Sequence, residues 1–539
     1  MKTFLFLIIS SAFAWLVKPC FAEEPLANAN LSGLYVRSIE QVMRLQPDQI
    51  DVGIAALIVS EAWSDMVAGR RYQQRLDDMA IEIRSRLKTA KPGASAIPVI
   101  NAYLFDELRF RAIDKADDPK DLFLHSVMDR KQGYCLSLSI LYLAIGERLG
   151  LPLYGVVVPG HFFVRYDDGR LRFNIETTSK GGAATDDYYI QKFNVPENGL
   201  TKLTTGGNAI YMVNLNKLQT LGCFFNNLGN VYNNIANYDQ AMAALQCAVH
   251  INPMLAESRM NLGNIYLRKD RVDDAIVEYQ NAVKINPGDA KIHNNLGISY
   301  QRRGWLGDSL AEHTAAIRLD PNLIDAYRNL AMACRKLNRL AEAKTALAQA
   351  IALEPQNAML HCELADVYSQ SGDCDEAMSR YEKALDLKHD LAEAYFGLGI
   401  CFNKLGRSDE EINSYRKALA INPNMLEAIA NLGNAYFAKG IYKAAAEQYR
   451  HAIQINPDDA KLHYNLGASY SNQGEYEEAV KALLKAVELD PKMADAHYSL
   501  AFSYYKLKNY DSALKHIKTA EQLGAKIDAS LLKAIENKN

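Results

Sequence analysis

Three residues stand in an order that suits covalent chemistry. Cys135 follows Gly133-Tyr134 and opens an apolar run, Leu136 to Leu149, that Gly150 and Pro152 terminate as they would a helix. His161 heads a strand-like run, Phe162 to Tyr166, and Glu176 closes the next one, Leu171 to Ile175, across the turn Asp167-Asp168-Gly169. A cysteine at a helix start feels the positive end of the helix dipole, which favours its thiolate. A histidine beside it can hold the ion pair, and a carboxylate can fix the histidine's tautomer. Cys135, His161 and Glu176 are therefore the candidate catalytic residues, and the chemistry they suit is acyl transfer through a thioester.

The same residues also admit a structural reading. A single buried cysteine at a tight turn is often a packing residue, and a fold can persist as a binding module without its chemistry. His125 lies beside the apolar Leu122-Phe123-Leu124 and reads as a packed side chain. The scaffold around the candidates should be α+β. Helical periodicity runs through Ile50 to Met66, Tyr72 to Leu87, Ile97 to Phe110 and Asp121 to Met128, and a third short strand, Leu153 to Val158, precedes His161.

The stretches IDVGIAALIVSEAW, RLDDMAIEIRSRL, NAYLFDELRF, LFLHSVMDRKQGYCLSLSILYLAIGERLGLPLYGVVVPGHFFVRY and NIETTSKGG resemble the transglutaminase-like superfamily, specifically its SirB-type branch. The resemblance implies a papain-like core over residues 23–205. It also implies that the cysteine and histidine are often replaced in relatives, whereas this chain keeps both. Glu176 departs from the aspartate usual at the third position, and its extra methylene changes the reach to His161.

Behind this region the sequence is periodic. Leucine recurs nine times at a spacing of 34 residues, from Leu228 to Leu500, and the next residue is always small. Three residues further on an aromatic is usual, as at Tyr232, Tyr266 and Tyr300. A second run carries alanine at 248, 282, 316, 350, 384, 418, 452, 486 and 520, and proline closes most units, as at Pro253 and Pro287. The pattern resembles the tetratricopeptide repeat (TPR) family over residues 222–527. That implies paired helices stacked into a solenoid whose concave face holds a polypeptide. Residues 528–539, with Leu531, Leu532 and Ile535, fit a capping helix, and residues 206–221 read as the linker.

One repeat position carries Asn227, Asn261, Asn295, Asn329, Asn431 and Asn465. An amide offers both a donor and an acceptor, so such a row can pair with the backbone of a bound peptide. Asparagine as a merely tolerated residue is the alternative. His293, His361, His463 and His497 share another position and read as interface side chains. Successive units stand about 10 Å apart, while metal ligands converge to about 2 Å from an ion, so no metal site is expected. No cofactor is implied.

The remaining constraints are global. A chain of 539 residues with 49% hydrophobic and 23% charged residues can bury more than one core. A formal net charge of −3 offers no basic field for nucleic acid. Lys2, the apolar run Phe4 to Val17 and Cys20-Phe21-Ala22 form a signal-peptide pattern over residues 1–22, so an exported, periplasmic or secreted protein is expected, with no membrane span after cleavage. The eight cysteines include Cys20, and the seven others do not make a disulfide framework. The expected architecture is mostly α, a nine-repeat TPR solenoid preceded by an α+β transglutaminase-like domain. Two functions are consistent with it: an exported scaffold that binds a protein or peptide, and a cysteine-dependent acyl-transfer enzyme that recruits its substrate through the repeats.

Overall fold

The computed structural model describes residues 36–64, 67–87, 92–195 and 211–538. The expected signal peptide and residues 206–210 of the expected linker lie outside the described residues. The chain divides into two compact units, Met1–Pro321 and Asn322–Asn539.

At the centre of the first unit is the helix Cys135–Arg148, called here the thiol helix. Its residues from Cys135 to Gly146 are all buried, as expected of a helix that is apolar on every side. Helices Val52–Trp63 and Gly69–Arg86 cover one side of it. The other side meets a four-stranded antiparallel sheet in chain order: Leu153–Val158, His161–Asp167, Arg172–Glu176 and Gly182–Ala184. Pro159 and Gly160, the latter at φ 71°, make the two-residue turn that pairs Val158 with His161. Proline presets the first turn position and glycine accepts the positive φ of the second. This turn places His161 at the head of its strand.

The repeats begin earlier than the expected linker boundary. Residues 217–221 belong to the first repeat helix, Lys217–Asn234, because Asn216 and Gln219 cap its start reciprocally at 2.8 and 2.9 Å. Leu215 bridges to Gly155 on the sheet, and Gly155 has no room for a Cβ beside Phe162 and Thr220. Trp63 packs its ring against Phe225 and Tyr232 at 6.1 and 5.8 Å between centroids. Lys217 donates from Nζ to the Ile50 carbonyl at 2.7 Å. One apolar core therefore runs from Val36 to Tyr300, and three helix pairs, 217–251, 256–285 and 290–319, share a unit with the N-terminal domain.

The second unit holds six helix pairs between Ile324 and Gln522. The helix Ala529–Glu536 follows them, with Leu531 and Ile535 buried against Ala513 and Ile517 of the last pair. The recurrent glycine after the repeated leucine has a packing reason that its periodicity does not disclose. At Gly433 the Tyr449 ring of the second helix lies where a Cβ would come within 2.8 Å of it, and Tyr449 is buried. No helix among the described residues is long and apolar enough to cross a membrane.

Candidate functional site

Cys135 is the first residue of the thiol helix and only 3% exposed. The helix start is held from two sides. The Tyr134 N–H donates to Ser137 Oγ at 2.9 Å, and that hydroxyl donates to the Asp121 carbonyl at 2.8 Å. Thr177 Oγ1 lies 3.0 Å from Ser139 Oγ and 3.5 Å from the Cys135 carbonyl, which ties the thiol helix to the end of the Glu176 strand.

His161 Nε2 and Glu176 Oε2 are 2.8 Å apart. The Cys135 thiol is another hydrogen-bond partner of the imidazole. The ring lies flat on Phe193, 4.6 Å between centroids and 6° between planes, so its orientation is held by packing as well as by bonding.

Glu176 reaches the histidine despite its extra methylene because both carboxylate oxygens are pinned. Oε1 accepts from the Thr178 N–H at 3.0 Å and from Thr178 Oγ1 at 2.5 Å, and Oε2 accepts from Tyr189 O–H at 2.9 Å. Tyr189 stands on the helix Asp186–Lys192 and stacks on Phe163 at 3.8 Å. Arg165, wholly buried, donates to Asp186 Oδ1 at 2.8 Å and to the Met212 carbonyl at 2.7 Å, and so anchors the start of the Tyr189 helix.

The electrostatics follow from these contacts. Burial opposes charge on His161, yet its hydrogen bonds to Cys135 and Glu176, with their charges, raise the ring to about 9. Burial would lift the Glu176 carboxyl, but the hydrogen bond and charge of His161, with the two bonds from Thr178, bring it down to about 2. Between these values the pair is ionic. Burial and the neighbouring Cys135 push the Tyr134 phenol up to about 12. The repeat cysteines have no comparable partner, and burial pushes Cys223 and Cys247 up to about 12.

The structure thus brings Cys135, His161 and Glu176 together. Tyr189, Phe193 and Arg165 complete the arrangement and were not singled out by motif or spacing. The short helix that carries Tyr189 begins at Thr185-Asp186-Asp187, an N-cap followed by acidic residues, which is the one local signal for it. His125 packs between the rings of Tyr72 and Phe123, and burial lowers its pKa.

The six repeat asparagines are half-buried, and most of their amides engage the protein itself. Asn227 Nδ2 donates to its own helix at the Cys223 carbonyl, 3.0 Å away. Asn261 Nδ2 donates to Asn226 Oδ1 at 3.1 Å, Asn295 to Asn264 at 3.1 Å and Asn465 to Asn434 at 3.4 Å. Asn431 is hydrogen-bonded with Tyr415, and Asn329 also has a partner. The acceptors Asn264 and Asn434 take a second bond from Tyr279 and Tyr449, so each links two helices of one repeat to the next. His293, His361, His463 and His497 each place Nε2 between 2.9 and 3.2 Å from the carbonyl of the proline six residues earlier, which ties a first helix to the loop before it. Among the described residues no group of His, Cys, Asp and Glu is arranged to hold a metal ion.

Comparison with known proteins agrees with this division. Residues 70–194 match the transglutaminase-like superfamily, and tetratricopeptide-repeat families match 263–304, 324–357, 356–424, 433–474 and 470–508. The chain carries TPR repeats behind an N-terminal transglutaminase-like domain. It is 32% identical over 120 residues to a UPF0162 protein of Xylella fastidiosa, 22% of this chain and 42% of that one. It is 34% identical over 93 residues to the F-box only protein 21 of Mus musculus, 17% of this chain and 13% of that one. The chain thus spans less than half the length of these relatives. Among solved structures, YrrB, a TPR protein with an unusual peptide-binding site, is 25% identical with a TM-score of 0.30, covering 34% of this chain and 95% of its own. A tetratricopeptide repeat protein from Parabacteroides merdae is 18% identical with a TM-score of 0.37, covering 46% of this chain and 98% of its own.

Proposed function

We propose that this protein is an exported scaffold whose repeats bind a polypeptide and whose N-terminal domain, of the SirB-type branch, performs cysteine-dependent acyl transfer. The observation that carries the reading is the His161–Glu176 pair at 2.8 Å with Cys135 as the other partner of the ring. Export is supported by Lys2, the apolar run Phe4 to Val17 and Cys20-Phe21-Ala22.

In the proposed reaction the Cys135 thiolate attacks the carbonyl carbon of an amide, and N–H groups at the thiol-helix start stabilise the oxyanion. As the C–N bond breaks, the imidazolium of His161 gives its proton to the departing amine, leaving a thioester on Cys135. Water or a second amine then attacks the thioester while His161 takes a proton from it. The first route yields a carboxylic acid and the second a new amide, and either restores the thiol. Glu176 keeps the imidazole oriented and favours its charged form throughout.

An amide-directed electrophile applied to the purified mature protein tests the reading. Preferential modification of Cys135 that is lost in His161→Ala supports it. Labelling of all seven cysteines at one rate returns the domain to a binding module. Signal cleavage before Glu23, read by N-terminal sequencing of the exported protein, tests the localisation.

A further inference from the structure

The residues before the first repeat helix form a strap rather than a spacer. From Tyr211 to Asn216 the chain runs beside the edge strand Leu153–Val158. The Met212 N–H donates to the Val157 carbonyl at 3.2 Å and the Leu215 N–H to the Gly155 carbonyl at 2.9 Å. Asn216 caps the helix Lys217–Asn234, so the strap leads directly into the repeats. Met212 is its strained point. Its φ is 60°, a conformation that residues other than glycine rarely adopt, and it is buried in one apolar cluster with Tyr189, against which Tyr211 and Phe193 pack.

Arg165 holds that backbone. Its wholly buried guanidinium reaches three elements at once. Nη1 donates to the Met212 carbonyl at 2.7 Å and lies 3.4 Å from Asn214 Oδ1. Nε donates to Asn174 Oδ1 at 2.7 Å, and Nη2 to Asp186 Oδ1 at 2.8 Å, an oxygen that also accepts from Asn174 Nδ2 at 2.7 Å. Arg172 lies 3.3 Å from the other oxygen of Asp186. The Arg165 fork thus joins the strap to the first residue of the helix Asp186–Lys192. Three residues along, Tyr189 donates to Glu176, the carboxylate paired with His161. The Tyr189 ring also stacks on Phe163, which the guanidinium overlies at 5.7 Å. Only a rigid, multiply donating group can serve the strap and Asp186 together, which a lysine ammonium cannot do.

We propose that Arg165 is a positioning residue, with the strap Tyr211–Asn216 as its anchor, through which docking of the first repeat sets the orientation of Glu176 and so the reactivity of Cys135. The proposal rests on the acyl-transfer reading and adds regulation of that same site by the repeats. Displacing the first repeat loosens the strap, and a loosened strap weakens the hold of His161 on its proton.

Two variants outside the thiol site and one measurement on the wild type test this in the full-length mature protein. Arg165→Lys keeps the charge but loses the fork. Lys217→Met frees the start of the first repeat helix from the Ile50 carbonyl and from Glu147. The readout is the rate of Cys135 alkylation by iodoacetamide across pH, followed by mass spectrometry. In both variants the upper limb of the profile should move to lower pH, by roughly half a unit to one unit, the size of one weakened hydrogen bond, with Arg165→Lys the larger. A loss of packing alone would lower the Tm and leave the limb in place. In the wild type, hydrogen exchange should show the Leu215 N–H opening in one unit with the Phe193 N–H, which is bonded to the Tyr189 carbonyl at 3.0 Å, as denaturant is raised. That measurement does not depend on a variant folding. A limb that stays in place in Arg165→Lys, or a Tyr189 helix that opens independently of the strap, overturns the role of Arg165. A limb that stays in place in Lys217→Met overturns the role of the first repeat. A wild-type Cys135 that reacts no faster than the repeat cysteines overturns the thiol site itself, and the proposal with it.

Discussion

Cys135 in the first unit and Cys362 in the second are both buried cysteines in helices, at 3% and 2% exposure, yet their surroundings are opposite in kind. Cys135 faces a cationic imidazole whose charge Glu176 maintains. Cys362 lies in an apolar cluster with Cys374 and Cys401, where burial raises its pKa and the nearby Asp366 raises it further. Exposure does not separate the candidate nucleophile from a cysteine of the repeats here, whereas the sign of the nearest charge does.

The largest test of that contrast removes the charge. His161→Ala should slow alkylation of Cys135 at pH 7 by about 100-fold or more, within the span usual for a positioned acid–base partner, and leave Cys362 as unreactive as before. Rates by quantitative mass spectrometry would show it. Glu176→Asp sharpens the question of reach. The shorter arm gives up contacts with His161, Thr178 or Tyr189, and alkylation should fall by about tenfold, the equivalent of about 1.4 kcal/mol.

The pH dependence follows from the signs of the two shifts. His161 titrates at about 9 in the folded protein against an ordinary value of 6.5, so its stabilising contribution is complete below 6.5 and lost as pH rises through 9. Glu176 titrates at about 2 against 4.5, so its contribution is complete above 4.5 and lost as pH falls through 2. The difference in Tm between wild type and His161→Ala should therefore be greatest between pH 4.5 and 6.5 and should narrow above 9. A smaller effect is expected of Tyr189→Phe. It removes one donor to Glu176, a loss of about 1 kcal/mol, and should move the upper limb of the Cys135 pH–rate profile toward lower pH.

The repeats were legible in the sequence because periodicity is a property of spacing alone, and the leucine at every thirty-fourth residue needs no partner to be seen. The thiol helix was legible for a related reason. Gly133, Gly150 and Pro152 bracket an apolar run, and the helix Cys135–Arg148 lies within one residue of that reading. The strand at 153–158 was likewise marked by its own residues. Tyr189 and Phe193 were not legible, because their importance comes from contacts with His161 and Glu176 across the fold. The compact unit ends at Pro321 rather than near residue 205, since Trp63, Gly155 and Lys217 pack the first repeat onto the domain and none of them belongs to a motif. Among the asparagines the period marks the position, while the partners of Asn261, Asn295 and Asn465 are set by the neighbouring repeat.

The asparagines provide the smallest of the tests. Replacing Asn261, Asn295 and Asn431 together with alanine removes internal bonds at about 1 kcal/mol each. It should lower the Tm while leaving helix content by circular dichroism unchanged. If these amides also contact a partner, capture of that partner weakens beyond what the loss of stability explains.

The most direct measurement remains the site-resolved rate at which an electrophilic amide probe modifies Cys135 and the six repeat cysteines. Modification of Cys135 well ahead of the six repeat cysteines, with that lead abolished in His161→Ala, is the result the geometry predicts. Equal rates at all seven, or a lead that survives without His161, would contradict it.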